Sequence, residues 1–139
     1  MTAISRVKAA FDKEDIMKDV HTDKAPQAIG PYTQAKITGD KVFTSGQIPI
    51  DPATGDLVSG GIEEQTKRVC ENLKAVLEAA GASLDKVVKT NCYLKDIGDF
   101  AAFNAVYAEY FTTKPARSCV GGLQIPKGAL VEVEVVAEL

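Results

Sequence analysis

The chain has 139 residues, with 16 basic and 19 acidic side chains and a net charge of −3 at pH 7. This length suits one domain with a single hydrophobic core. The acidic balance argues against nucleic acid as the main partner, because no broad basic field attracts phosphate groups. Three scattered cysteines and one histidine predict neither a disulfide framework nor a zinc site. No apolar run reaches the ~18 to 20 residues that cross a bilayer, so we expect a soluble, cytoplasmic protein that binds no metal.

The first sixteen residues differ from the rest of the chain. They place apolar side chains at helical spacing, but their acidic residues are unlike those of an arginine-rich transit peptide. We interpret residues 1–16 as an N-terminal extension, either an appended helix or a frayed tail, and Met17 is a candidate alternative start. Residues 17–139 are predicted to form one folded domain.

Short β-patterned segments open this domain. Glycine and proline signals predict an ordered loop over residues 28–33. Residues 34–37 and 41–45 flank a Thr-Gly-Asp turn and predict a β-hairpin. Residues 48–56 contain an Asp-Pro-Ala-Thr-Gly turn that precedes a further short strand. The domain is therefore predicted to begin with three short strands.

Two helices with a strand between them are predicted in the middle of the chain. Apolar residues at helical spacing indicate a long helix over residues 62–80, which Gly81 ends. Residues 87–94 form a β-branched run of buried-strand length. Asp99 is predicted to cap a second helix that continues through Phe111 and carries its aromatic side chains on one broad stripe.

Two β-patterned runs with charged side chains follow the second helix. They complete a β-β-β-α-β-α-β-β order, which predicts an α+β domain with both helices on one face of a mixed sheet. Arg117 and Cys119 share one face of the first run, and Glu132 and Glu134 share one face of the second. If the two runs form a hairpin, Cys119 lies opposite Glu132 and Arg117 lies opposite Glu134. Such a pair of charges either binds a ligand or is only a cross-strand ion pair.

The strand between the helices is apolar on both of its faces. Val88, Cys92 and Leu94 are predicted on one side of it, and Val87 and Tyr93 on the other. Because two helices cover only one face of the sheet, the other face needs a partner. We therefore predict a symmetric homo-oligomer with grooves at the subunit boundaries.

Five blocks of the sequence match the pattern of a known family in order. They are AIGPY at residues 28–32, TSGQIP at 44–49, NAVY at 104–107, PARSCV at 115–120 and VEVE at 131–134. With these blocks the chain resembles the reactive intermediate deaminases, the RidA branch of the YjgF-type family, from about residue 18 to residue 139. The resemblance implies a chorismate-mutase-like α+β fold and a homotrimer with active sites in the clefts between subunits.

The same resemblance implies an activity and a set of site residues. Members of that family hydrolyse 2-imino acids, such as 2-iminobutanoate and 2-iminopropanoate, to 2-oxo acids and ammonia without a cofactor. Pyridoxal-phosphate-dependent dehydratases supply these imines. By the resemblance Arg117 holds the substrate carboxylate and Glu132 positions or activates water, which makes them the expected catalytic residues. The other expected substrate-binding residues are Tyr32, Gly46, Asn104 and Cys119.

The chemistry of a 2-imino acid is consistent with these residue types. A guanidinium is a planar fork that binds a carboxylate through two hydrogen bonds and so fixes its plane. An ionised carboxylate takes a proton from the attacking water and later passes it to the departing ammonia. The C=N carbon is already electrophilic, so neither a metal nor a covalent cofactor is required.

Alternative interpretations remain at the level of sequence. Cys119 is a poor candidate nucleophile because no histidine lies near it in the sequence, and Gly46 serves either a turn or a close backbone approach. The chain departs from the family pattern at Gly121 and Gly122, which follow the PARSCV block. The competing function is a non-catalytic trimer, a sensor or chaperone-like surface, that holds 2-oxo acids or other small carboxylates in the same clefts. An RNA-cleaving activity is a third alternative, which the acidic charge balance disfavours.

Overall fold

The computed structural model describes residues 17–139, and the predicted extension over residues 1–16 lies outside this range. Within residues 17–139, six strands and two α-helices make up the main regular structure. The strands are β1 Met17–Val20, β2 Ala35–Thr38, β3 Lys41–Thr44, β4 Val87–Leu94, β5 Ala116–Val120 and β6 Val131–Glu138. The helices are α1 Ile62–Ala80 and α2 Phe100–Tyr110. Neither helix is both long enough and apolar enough to span a membrane.

The six strands form one mixed sheet in the order β1-β2-β3-β6-β4-β5. Only β4 and β5 run parallel, and the remaining neighbours are antiparallel. A parallel pair requires a crossover connection, and α2 supplies it between β4 and β5. The α+β class, the β-β-β-α-β-α-β-β order and the placement of both helices on one face are confirmed.

The hairpin predicted between the last two strands is wrong. β4 lies between β5 and β6 and pairs with both of them, so neither Cys119 and Glu132 nor Arg117 and Glu134 lie opposite each other. The reason is that β4 is an apolar central strand, and a β5–β6 hairpin would have left one of its edges without a partner. In the observed register Arg117 and Cys119 point to the helix-covered face, whereas Glu132 and Glu134 point to the other face.

The third opening strand is also different from the predicted one. Residues 48–57 form only an isolated bridge with each other, between Ile50 and Leu57. The Asp51 backbone carbonyl accepts hydrogen bonds from the Thr54 and Gly55 N–H groups, and this tight turn leaves too few residues for a ladder. The third short strand is instead β1, which pairs with β2 at the edge of the sheet.

The bulge in β4 and the start of α2 both differ from what the sequence predicts. The register of β4 against β6 shifts between Val87 and Lys89, so Val88 is the extra residue of a β-bulge. Val87 therefore faces the helices and Val88 is exposed, the reverse of the expected sides.

Asp99 occupies the N-cap position of α2, but its side chain forms no capping hydrogen bond. The side chain of Asp96 instead accepts a hydrogen bond from the Gly98 N–H, which begins a short 3-10 turn before α2.

The hydrophobic core lies between the sheet and the two helices. α1 begins with the Glu64 carboxylate accepting a hydrogen bond from the Gly61 N–H and ends at Gly81, which adopts a left-handed conformation with φ of 88°. Each buried aliphatic side chain on its inner face contributes roughly 1.5 to 3 kcal/mol of hydrophobic stabilisation. The fully buried aliphatic side chains of α1 are Val69, Leu73, Val76 and Leu77. Opposite them, β6 buries Val131, Val133, Val135 and Ala137.

No helix of the described residues covers the other face of the sheet. This open face carries large apolar side chains that are about half exposed, at Met17, Phe43 and Val120. It also carries half-buried polar groups, among which the Tyr93 hydroxyl donates to Glu134 Oε1. Apolar surface of this kind is typical of an association surface.

Candidate functional site

Arg117 is held rigidly on the helix-covered side of the edge strand β5. Its Nη1 donates to Asn104 Oδ1 at 2.6 Å. Its guanidinium carbon lies 4.8 Å from the centre of the Tyr107 ring and 5.4 Å from that of Phe100, so the guanidinium rests on the aromatic stripe of α2. No salt bridge involves Arg117 within residues 17–139. The alternative of a cross-strand ion pair with Glu134 is therefore wrong, and the fixed cation keeps donors for another anion.

A buried hydrogen bond supports the aromatic surface beneath Arg117. The hydroxyl groups of Tyr107 and Thr90 lie 2.8 Å apart in the core, which fixes the ring on β4. The ring also stacks on Phe111 with a centroid distance of 4.5 Å. The sequence pattern predicted the aromatic stripe but no contact between it and Arg117. That contact depends on the pairing of β4 with β5, in which Thr90 lies beside Arg117.

Cys119 lies two residues after Arg117 on the same face of β5. It is half-buried and packs against the core, beside the buried Cys92 of β4. Burial raises the pKa of the Cys119 thiol, and the nearby Arg117 charge opposes this only in part. The thiol is thus protonated at neutral pH, which is consistent with a wall of a pocket and not with an activated nucleophile. We refer to Arg117, Asn104 and Cys119 as the arginine cluster.

Glu132 lies on the open face, at the bottom of a cleft of about 340 Å³. Gly46 packs directly against it, since a Cβ at Gly46 would lie 2.6 Å from Glu132 Oε2. Of the two roles considered for Gly46, a close approach is therefore the observed one. Burial raises the pKa of the Glu132 carboxyl, and the charge of Glu134 raises it further. The other residues lining the cleft are Tyr32, Ser45, Ile48 and Pro126.

Tyr32 stands at the rim of this cleft in an ordered loop. Its hydroxyl accepts a hydrogen bond from the Ile29 N–H, and its ring lies against Gly30, which has φ of 140°. The buried Gln34 amide anchors the loop by donating to three backbone carbonyls. The Tyr32 side chain remains 54% exposed, so it is free to contact a ligand or a neighbouring subunit. We refer to Glu132, Gly46 and Tyr32 as the glutamate cluster.

The two clusters lie on opposite sides of the sheet. The structure brings Arg117 together with Asn104 and Cys119, and it brings Glu132 together with Gly46 and Tyr32. It does not bring Arg117 and Glu132 together within one chain, because β4 separates their strands and their side chains point to different faces. Each cluster is therefore half of the predicted site.

The described residues contain no group of three or more histidine, cysteine, aspartate or glutamate side chains arranged to hold a metal ion. The chemistry of the two clusters is that of one fixed cation and one partly desolvated carboxylate. Such a pair binds a small anion and moves a proton.

Comparison with known proteins agrees with this fold. A family model described as endoribonuclease L-PSP matches residues 22–139. A RutC family protein of Pyrococcus abyssi is 57% identical over 119 residues, which cover 85% of this chain and 94% of the relative. The solved structure of YyfA from Yersinia pestis, a protein of the Rid family, has a TM-score of 0.86 at 47% identity and covers 88% of this chain and 99% of that one. Escherichia coli TdcF, solved with bound serine, has a TM-score of 0.84 at 40% identity over 88% and 98% of the respective chains.

Proposed function

This chain belongs to the endoribonuclease L-PSP family, and from that membership we propose that it is a 2-imino acid deaminase of the RidA branch that acts without a cofactor. Its substrates are reactive 2-imino acids and their enamine tautomers, including 2-iminobutanoate and 2-iminopropanoate. The observation that carries the proposal is the Arg117 guanidinium, which Asn104 and Tyr107 hold in place and which forms no ion pair within residues 17–139, as a carboxylate clamp requires. Serine, which is bound in the TdcF structure, resembles a 2-imino acid because its α-carbon carries both a carboxylate and a nitrogen. This supports a ligand of the same class for the present chain.

We propose that the complete site forms between subunits of a homotrimer. Each chain presents an arginine cluster on one side and a glutamate cluster on the other, so a head-to-tail ring sets the arginine cluster of one subunit against the glutamate cluster of the next. The half-exposed Phe43 and Val120 of the open face are then buried by the same association. In such a ring a single type of interface completes the site, because it brings together the two clusters that are separate within one chain.

In the proposed mechanism, Arg117 binds the substrate carboxylate and Glu132 acts on water. Arg117 uses N–H groups that Asn104 does not occupy, and two parallel hydrogen bonds fix the plane of the imino acid. The ionised Glu132 takes a proton from water as the water oxygen attacks the C=N carbon, and it passes that proton to the imine nitrogen, which gives a carbinolamine. Glu132 then takes the proton of the new hydroxyl group and passes it to the amino group, so the C–N bond breaks as the C=O bond forms, and ammonia and the 2-oxo acid leave. The raised pKa of Glu132 makes it a stronger base near neutral pH than an exposed glutamate.

The remaining residues shape the pocket in this proposal. Asn104 orients the guanidinium, Cys119 forms a small wall beside the substrate, and Tyr32 closes the rim. Gly46 leaves the Glu132 carboxylate the room to reach water. The physiological setting that follows from the substrate is the cytoplasm, where pyridoxal-phosphate-dependent dehydratases release such imines.

The test is the suppression of imine trapping. A threonine dehydratase generates 2-iminobutanoate in situ, semicarbazide traps it, and catalytic amounts of wild type, Arg117→Ala, Glu132→Gln or Glu138→Gln are added. We expect wild type and Glu138→Gln, which alters an exposed carboxylate on the same strand, to suppress trapping, and the other two variants to fail.

The outcome that separates the competing function is ligand binding without turnover. If Glu132→Gln binds 2-oxobutanoate while it no longer hydrolyses the imine, the enzyme assignment is supported. If folded wild-type oligomer binds the 2-oxo acid but leaves the trapping of several imines unchanged, the site is a carboxylate-binding site and the enzyme assignment fails. A steep salt dependence of RNA binding would instead favour the RNA-directed alternative.

A further inference from the structure

A second and larger cavity adjoins the glutamate cluster. It has a volume of about 420 Å³, which lies within the roughly 300 to 1,000 Å³ typical of small-molecule sites. It shares Tyr32, Gly46, Ile48 and Pro126 with the cleft that holds Glu132. A ligand atom next to Glu132 therefore has direct access to this cavity.

The walls of the cavity are mainly apolar and are firmly held. Ile29, Ile48 and Ile50 line it together with two prolines. The buried Asn72 amide donates to the backbone carbonyls of Ile48 and Ile50, which fixes that wall on α1. The facing loop is fixed by Gln34, as described above. The cavity is thus preformed and suits an apolar group.

One polar residue in these walls has a side chain without a hydrogen bond in the described part of the chain. Gln47 is among the lining residues and is only 6% exposed, yet its amide has no hydrogen-bond partner among residues 17–139. Its backbone is fully used, since Gln47 and Val133 exchange two backbone hydrogen bonds. Every fully enclosed side-chain nitrogen and oxygen atom in that part of the chain is paired, so the amide of Gln47 is accessible, and the cavity that Gln47 lines is the open space beside it.

We propose that this cavity is the subsite for the substrate side chain, and that it selects 2-imino acids with a large apolar side chain that ends in a hydrogen-bonding group. The inference rests on the proposed function, because it places the C=N carbon at Glu132 and the side chain beyond Tyr32. The isoleucine and proline walls bind the apolar part. The Gln47 amide binds the terminal group, since burying that amide under a purely apolar chain leaves it without a partner.

The probes are three imines that differ only in the side chain. 2-Iminopropanoate is made from serine with a serine dehydratase, and the phenylalanine and tyrosine imines are made with an L-amino-acid oxidase in the presence of catalase. Semicarbazide trapping gives kcat/KM for each. We expect wild type to hydrolyse the tyrosine imine at least as efficiently as 2-iminopropanoate, and more efficiently than the phenylalanine imine, which lacks the terminal hydroxyl.

Substitutions in the cavity then test the assignment. Ile50→Trp fills the cavity, and we expect it to lower the ratio of kcat/KM for the tyrosine imine over 2-iminopropanoate at least tenfold. The matched control Ile50→Val is expected to leave that ratio within twofold. Gln47→Leu replaces the amide with an apolar side chain of broadly similar volume, and we expect it to abolish the preference for tyrosine over phenylalanine.

Failure of this inference is distinct from failure of the proposed function. If wild type hydrolyses none of the imines, the proposed function fails. If it hydrolyses 2-iminopropanoate but the aromatic imines at least one hundred times less efficiently, or if Ile50→Trp lowers all three equally, the subsite inference is wrong while the function stands. If Ile50→Trp does not fold, isoleucine methyl NMR of wild type decides: 4-hydroxyphenylpyruvate must shift the Ile50 resonance and pyruvate must not.

Discussion

Two inactive variants are expected to restore each other's activity when they share an oligomer. Arg117→Ala destroys the arginine cluster but keeps the glutamate cluster, and Glu132→Gln does the reverse. Because the two clusters of one chain lie on opposite faces of the sheet, each complete site of the proposed ring takes one cluster from each of two neighbours. A mixed ring therefore contains sites in which both wild-type clusters meet.

The size of the effect follows from the geometry alone. In an equal mixture, half of the subunits retain the arginine cluster and half of their neighbours retain the glutamate cluster, so about one quarter of the sites are intact, whatever the number of subunits in the ring. The assay is imine hydrolysis after the two variants are unfolded in urea, mixed and refolded together, with each variant refolded alone as the control. We expect roughly 25% of wild-type activity in the mixture and almost none in the controls.

A different result would refute the reasoning. If the refolded mixture forms hybrid oligomers, identified by native mass spectrometry, and remains as inactive as the separate variants, then no site combines the two clusters across a subunit boundary. If Arg117→Ala alone retains activity, the guanidinium is not the carboxylate clamp.

Four further predictions concern charge, space and a buried hydrogen bond. Glu134 raises the pKa of Glu132, so Glu134→Gln lowers that pKa and should move the acid limb of the kcat/KM profile to lower pH, whereas Glu138→Gln should leave the profile in place. Gly46→Ala places a Cβ 2.6 Å from Glu132 Oε2, at the far end of a side chain that can rotate aside, so we expect activity to fall at least tenfold with little change in the urea midpoint; a large loss of stability would contradict this. Gly121→Ala places its Cβ 2.9 Å from the backbone nitrogen of Ile97, which cannot move aside, so the free energy of unfolding should fall by about 1 to 3 kcal/mol. Tyr107→Phe leaves the buried Thr90 hydroxyl without its phenol partner and should cost about 1 to 3 kcal/mol in urea unfolding, and adding Thr90→Val should recover part of that loss; strict additivity of the two changes would show that the hydroxyls are not coupled.

The element order was predictable because local periodicity determines it. The 3.6-residue pattern of α1 and the glycine that ends it predicted both bounds of that helix, and the apolar run of β4 predicted that strand. Strand pairing depends on contacts between distant segments, and the sequence pattern does not encode them directly. The hairpin assumed for β5 and β6 was therefore wrong, although both strands were placed correctly.

For the candidate site, the sequence indicated which residues are involved but not where their side chains lie. Arg117 and Glu132 were chosen by resemblance and by chemistry, but only the register shows that their side chains point to opposite faces. A single bulge at Val88 reversed the expected sides of Val87 and Val88, because one extra residue changes the parity of everything before it. Long-range packing places the Tyr107 ring beneath Arg117. It also leaves the Gln47 amide without a partner among residues 17–139, and no local signal in the sequence indicated either feature.

The central position of β6 has a consequence for the order in which the protein folds. β6 follows every other strand in the chain, yet it joins the β1-β2-β3 ribbon to the β4-β5 pair. Neither portion has a complete sheet against which α1 can pack until β6 is inserted between them, so we expect the folding transition to be cooperative. Glu132 lies on β6 itself, so the glutamate cluster forms only when β6 joins the sheet. The arginine cluster instead lies within the β4-α2-β5 unit, and the hydrogen bonds that hold it do not involve β6.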